Sequence, residues 1–177
     1  MGSPLLKGFL FLYSEMIDLI KIPKAKHVST NMIIWIIPLL FFIHNLEESI
    51  SMPQYLANQF SINFINTHQF LIAICILTTI VLLFIILYQL HIISSIYWII
   101  FIQGAIFFNA VQHMILFFMY RAYNPGVISA FIIVLFSLYL FSLIQVPKKK
   151  LVLILIFSLL SYPSMIWITL YLASFFD

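Results

Sequence analysis

His44, Glu47 and Glu48 stand together in the run His-Asn-Leu-Glu-Glu. On a helix, spacings of three and four residues put the imidazole and both carboxylates on adjoining faces of about one turn. Asn109 and His113 repeat the four-residue spacing, and His68, Gln112, Arg121 and Tyr123 are further side chains able to ligate, move a proton or hold a headgroup. Two imidazoles with one or two carboxylates suit Zn²⁺ in a hydrolytic site or non-haem Fe²⁺ with open positions. In this reading His44, His113, Glu48 and His68 are the candidate ligands of a divalent metal, Zn or Fe. Adjacent glutamates point about 100° apart on a helix, so one of Glu47 and Glu48 is expected to ligate while the other takes the proton from activated water. Asn109, one turn before His113, would hydrogen-bond an imidazole or donate to a developing oxyanion. Tyr123 is grouped with these catalytic candidates, and Arg121 and Gln112 are the candidates for substrate binding.

The elements that must position these groups are apolar helices. Only 7% of the 177 residues are charged and 64% are hydrophobic, whereas a soluble domain carries roughly a quarter charged residues. Thirteen charged side chains cannot solubilise a chain with nineteen Phe, so the composition is that of an integral membrane protein. A nucleic-acid partner is excluded despite the net charge of +3, because basic residues collect in the cytoplasmic loops of membrane proteins. Cys75 is the single cysteine, so no intramolecular disulfide forms.

A spanning helix needs about 20 mostly apolar residues. Five such runs are predicted, at approximately 31–49, 68–90, 94–118, 126–145 and 151–174. Pro38 and Pro163 fall inside the first and last and are expected to kink them. Before the first run, residues 4–22 place Lys7, Ser14, Glu15, Asp18 and Lys21 on one face and Phe9, Leu12, Tyr13, Met16 and Ile20 largely opposite, the pattern of an interfacial amphipathic helix. A signal peptide fits less well, since Glu15 and Asp18 interrupt the apolar stretch. The predicted fold is therefore an all-α polytopic membrane helix bundle, five transmembrane helices preceded by an N-terminal amphipathic interfacial helix, in one domain over 1–177.

Lys7, Lys21, Lys24, Lys26 and Lys148 to Lys150 fall on one side of five spans and Arg121 on the other. This asymmetry puts the N-terminus in the cytoplasm and the C-terminus outside, in the cell membrane. His44, Glu47, Glu48, His68 and His113 then all lie in the outer half of the bundle. An ionisable side chain at membrane depth costs roughly 2.5–3.5 kcal/mol, so such residues are functional candidates by default. A pocket at that depth is reached through the bilayer, which makes membrane lipids the surroundings and a lipid or other amphiphile the expected substrate.

His44-Asn-Leu-Glu47-Glu48 is followed by Met52-Pro53, then by Asn109-Ala-Val-Gln-His113 and Arg121-Ala-Tyr123-Asn-Pro125-Gly126. These motifs, in order over roughly residues 31 to 145, resemble the family of small integral membrane proteins named for its HxxEE motif. The resemblance implies that His44, Glu47, Glu48, Asn109, His113, Tyr123, Pro125 and Gly126 matter, with Pro125 and Gly126 as a structural turn opening the next helix, and it implies no activity. His68 is outside that pattern and rests on topology alone. A more distant similarity to intramembrane glutamate proteases with an E-E-x-x-x-R motif fails at Met52, which occupies the Arg position.

The reading that best accommodates these residues is a membrane-embedded, metal-dependent enzyme hydrolysing or transferring a group on an amphiphile at the extracytoplasmic leaflet. A metal-free alternative uses a Glu/His pair as general base and acid for acyl transfer. In a non-enzymatic alternative the polar groups only join helices or bind a passenger. Transport is disfavoured because the cluster is confined to the outer half and no inverted repeat is evident. Gln103, Ser94, Ser137, Ser142, Thr78 and Thr79 are read as helix-to-helix contacts.

Overall fold

A computed structural model describes residues 30–176 as seven helices: α1 (Thr30–Ile34), α2 (Ile36–Ser49), α3 (Met52–Phe60), α4 (Thr67–Gln89), α5 (Ile96–Tyr120), α6 (Val127–Leu143) and α7 (Lys148–Ala173). The all-helical expectation holds, and no strand occurs among the described residues. Four segments, Asn31–Ser49, Thr67–Gln89, Ile96–Tyr120 and Lys148–Ala173, are long and apolar enough to cross a membrane. The span predicted at 126–145 is shorter than expected. α6 starts only after Gly126 and ends before Pro147, and its 17 residues rise about 26 Å, a little under a hydrocarbon core of about 30 Å. The expected interfacial helix at 4–22 lies outside the described residues.

Pro38 has no N–H to offer the Ile34 carbonyl, and the first span is interrupted there, at Trp35 between α1 and α2. Pro163 produces no such break, and α7 continues through it. An unexpected element is α3, with Pro53 in its first turn, where a missing N–H does no harm. Asn66 caps α4 by accepting the Gln69 N–H at 2.7 Å.

α5 is the central helix, packed on α6 and α7, while α4 packs on α7 and α2 lies across α4 and α6. The main core joins Ile34, Phe41, Ile85, Ile99, Ile133 and Leu140 from these helices. At the α5/α7 crossing Gly104 lets the helices close: a Cβ there would stand 2.6 Å from Ser158 Oγ. Gln103 Nε2 donates to Ser137 Oγ at 2.7 Å, the expected helix-to-helix role. Leu83, Leu135 and Leu160 face outward and are more than half exposed, a surface suited to hydrocarbon rather than water. Lys148 to Lys150 and the start of α6 lie at opposite ends of the bundle, because α6 runs between them.

Candidate functional site

The candidate site forms where α2 ends, α6 begins and α5 approaches its C-terminus. His44, Glu48 and His113 are all buried. His113 Nε2 lies 2.8 Å from Glu48 Oε1, and His44 Nε2 lies 3.5 Å from the same oxygen. The two rings meet edge to face with centroids 4.9 Å apart. Their candidate ligand atoms all fall within 4.8 Å of one another, and among the described residues these three form the group able to hold a metal ion.

The far side of each imidazole is fixed. Asn124 Nδ2 donates to the His113 carbonyl at 3.0 Å, which leaves Asn124 Oδ1 as the acceptor of the His113 Nδ1 proton at 2.9 Å. Ser129 Oγ is 2.6 Å from Glu47 Oε2 and 3.1 Å from the Gly126 carbonyl; the shorter contact takes its single proton, so His44 Nδ1 donates to Ser129 Oγ at 2.8 Å. Each neutral ring therefore turns an unprotonated Nε2 toward Glu48. The His113 lone pair and the Glu48 oxygen, 2.8 Å apart, call for a proton or a cation between them, whereas the His44 lone pair already has a donor. Asn109 Nδ2 donates to His44 Nε2 at 2.9 Å, beside that point.

Glu47, the other half of the pair, faces elsewhere. Its carboxylate accepts the backbone N–H groups of Ile128 at 3.0 Å and Ser129 at 2.8 Å, the Ser129 hydroxyl, and the Tyr123 hydroxyl at 3.1 Å. Those N–H groups are among the orphan donors that open α6, so Glu47 caps the N-terminus of α6 from across the helix pair and meets its dipole with negative charge. Burial, together with the hydrogen bond to Glu47, pushes the Tyr123 phenol above its usual range.

Gly126 closes the arrangement. It sits at φ +93°, and the nearest atoms to a Cβ built there belong to the three site residues: His44 Cε1 at 2.9 Å, Glu48 Cγ at 3.0 Å and His113 Cε1 at 3.0 Å. Only a residue without a side chain lets this backbone press against all three.

A family model described as "Protein of unknown function with HXXEE motif" matches residues 35–140, more than half of the chain and all of the site. The chain belongs to the HXXEE family. No curated protein and no solved structure matches it. The HXXEE motif itself is His44 to Glu48, so its three lettered positions divide between the buried cluster, His44 and Glu48, and the α6 cap, Glu47.

Glu48, Asn109 and His113 also line a cavity of about 530 Å³ enclosed by α2, α3, α4, α5 and α7. Gln112 lines it too and accepts a hydrogen bond from Tyr162. Three of the expected site residues lie apart from this cluster and its cavity. His68 does not join the cluster: it is exposed on a face of α4 shared with Leu71 and Cys75, turned away from His44 and His113. Tyr123, half exposed, holds Glu47 and does not line the cavity. Arg121 is exposed, ends α5 in a left-handed turn at φ 50°, and also lies off the cavity. Pro125 is buried beside Gly126 in the turn before α6, as expected.

Ser129 and Asn124, which orient the two imidazoles, were not singled out by sequence reasoning. A signal existed for both. Asn124 lies between the noted Tyr123 and Pro125, and Ser129 is the polar residue of the first turn after Gly126.

Proposed function

We propose that this HXXEE protein is a membrane-embedded, metal-dependent enzyme that hydrolyses or transfers a group on a lipid or other amphiphile, with His44, Glu48 and His113 holding a divalent cation of the Zn²⁺ or Fe²⁺ type. One observation carries the reading: both imidazoles have Nδ1–H tied to a fixed oxygen while both Nε2 atoms turn to one carboxylate oxygen. Metal-binding histidines are held in this way by partners on the opposite ring nitrogen. Two imidazoles and one carboxylate leave room for a further ligand, the pattern of a catalytic rather than a structural zinc site.

The cation would serve as a Lewis acid toward a substrate carbonyl or a water. The chain's own residues supply the rest. Glu48 is the carboxylate that lines the cavity; holding the cation through Oε1, it would keep its second oxygen to take a proton from an attacking water and return it. Asn109 offers an amide N–H beside the same point, where charge would develop on a reacting oxygen. Glu47 and Ser129 orient His44 and are positioning residues. The seven-to-one distribution of Lys and Arg favours the extracytoplasmic leaflet for the site.

The 2.8 Å contact between His113 and Glu48 also favours a second reading, a metal-free acid/base pair sharing one proton. Elemental analysis separates the two, on protein purified without chelator or His tag and on His44→Ala and His113→Ala. Near-stoichiometric metal in the wild type, lost in both variants, is expected. Well-folded wild type that stays metal-free after exposure to Zn²⁺ and Fe²⁺ would refute the metal reading and leave the acid/base pair.

A further inference from the structure

The cavity has a shape as well as a polar patch. Along α4 its wall runs from Phe70 through Ala73, Leu77 and Val81 to Phe84, fourteen residue steps that rise about 21 Å at ~1.5 Å per residue. About 530 Å³ spread over that length leaves a mean cross-section of roughly 25 Å², room for one hydrocarbon chain whose neighbours touch it at about 4 Å. The polar lining is a belt part-way along: Asn45, Glu48, Asn109, Gln112 and His113, with the Tyr162 hydroxyl. Ile102 and Ala105 lie one to two turns deeper along α5 than Asn109, and Met52 and Leu56 of α3 cover the other side of the belt. Hydrocarbon therefore flanks the polar groups in both directions.

The charge of the lining is as telling. Among the described residues neither Lys nor Arg lines the cavity, and Arg121 is off it. A phosphate or carboxylate head would enter without a counter-charge, and burying an unpaired charge is costly. A dication at the cluster does not change this, since Glu47 and Glu48 together offset it. Apart from Glu48, the belt presents neutral groups. Gln112, held through Oε1 by Tyr162, has its NH₂ left to donate. Tyr55 also lines the cavity, and its shielded hydroxyl has no hydrogen-bond partner among the described residues; a ligand oxygen would satisfy such an orphan.

We infer that the cavity binds a single-chain, uncharged amphiphile whose polar linkage, an ester or amide, rests on the Asn109–Gln112–His113 belt with its chain along α4. This rests on the proposed function for the statement that the belt is where chemistry occurs, but the binding itself requires no metal.

The test uses the full chain in phosphatidylcholine nanodiscs with tritiated N-dodecylacetamide as probe. Saturable binding above that of empty discs is expected, displaced by methyl laurate and at least about tenfold less well by dodecyl phosphate. Filling the channel with Ala105→Phe or, independently, Leu77→Trp should remove saturable binding while leaving metal content intact. Tyr55→Phe should weaken the probe by roughly threefold to tenfold. Dodecyl phosphate displacing as well as the ester, or saturable binding persisting in both filled variants, would overturn the inference, as would no saturable binding to wild type. Metal is measured on the same samples. Metal without probe binding overturns this inference and leaves the metal reading standing; probe binding without metal does the reverse.

Discussion

Replacing Gly126 by alanine tests the geometry of the site at its tightest point. Two effects of the added methyl act on different quantities. The backbone at φ +93° is strained for any side chain, by about 1–2 kcal/mol, with or without metal, so this part lowers stability alone. The methyl also meets His44 Cε1 at 2.9 Å and both Glu48 Cγ and His113 Cε1 at 3.0 Å, and none of these can swing aside, because Ser129 and Asn124 hold the rings from behind. Relief must come from spreading the three ligands by several tenths of an ångström. Overpacking of this kind costs about 1–3 kcal/mol, which, taken from the metal-bound state, is a loss of roughly 5- to 150-fold in affinity. Competition with a chromogenic zinc chelator in nanodiscs reads the affinity, and circular dichroism checks the helices. Gly104→Ala is the matched control: its methyl meets Ser158 and Leu155 at the α5/α7 crossing, so it should lower the melting temperature without changing metal affinity. Wild-type affinity in Gly126→Ala, or an equal loss in Gly104→Ala, would refute the idea that Gly126 clamps the ligands.

The two glutamates should separate. Glu48→Gln is expected to abolish metal binding with helix content unchanged, whereas Glu47→Gln should keep most of the metal but lower stability by about 1–3 kcal/mol, since it replaces one of the acceptors that cap α6; equal metal loss in both would remove the distinction drawn between them. Ser129→Ala and Asn124→Ala each delete the partner of an imidazole Nδ1 and should weaken metal binding by roughly 10- to 100-fold, measured by the same chelator titration. The phenol of Tyr123 is raised above its usual value of about 10, so folding retains its proton: the Tyr123 contribution is complete below that pH and is lost as the pH climbs through the higher folded-state value. Thermal melts should show a small alkaline inflection absent from Tyr123→Phe, and an unchanged inflection in that variant would assign it to another group. In a Cys75→Ser background, Arg121→Cys should react with an impermeant maleimide from outside and Lys149→Cys only after permeabilisation; the reverse pattern would place the site at the inner leaflet.

The helices were legible because polar residues punctuate the apolar runs, and each observed boundary falls within about three residues of that punctuation. Pro38 was legible for the same local reason, through one missing hydrogen bond. α3 was not, since nine residues after Ser51 offer too short a pattern, and Met52-Pro53 reads equally as a turn. At the site, the HxxEE spacing and the Asn109/His113 pair were enough to bring His44, Glu48 and His113 together. His68 failed because topology fixes depth in the bundle but not rotation about a helix axis, and α4 is apolar all round, so nothing in its sequence says which side faces inward. Ser129 and Asn124 stand beside residues the motifs already mark, after Gly126 and between Tyr123 and Pro125, but only the position of the imidazole that each meets gives it a role.

The spacing of the motif has a mechanical consequence. His44 and Glu48 share one face of α2 and turn to His113, whereas Glu47, about 100° away, reaches the first N–H groups of α6. A simple pair of ligands four apart would supply the first contact and leave α6 with no reason to start where it does. Because α6 is anchored by Glu47, Gly126 is pressed onto His44, Glu48 and His113, and Ser129 is delivered to His44 Nδ1. Glu48 thus faces the Nε2 side of His44 while Glu47 reaches its Nδ1 side through Ser129, so the two carboxylates flank the same imidazole. Moving Glu47 back to position 46 would swing it about 100° off the α6 terminus while leaving the His44–Glu48 spacing intact, and position 48 is already occupied by the cluster's own carboxylate. The adjacency of the two glutamates is therefore as much a requirement of the site as the four-residue step between His44 and Glu48.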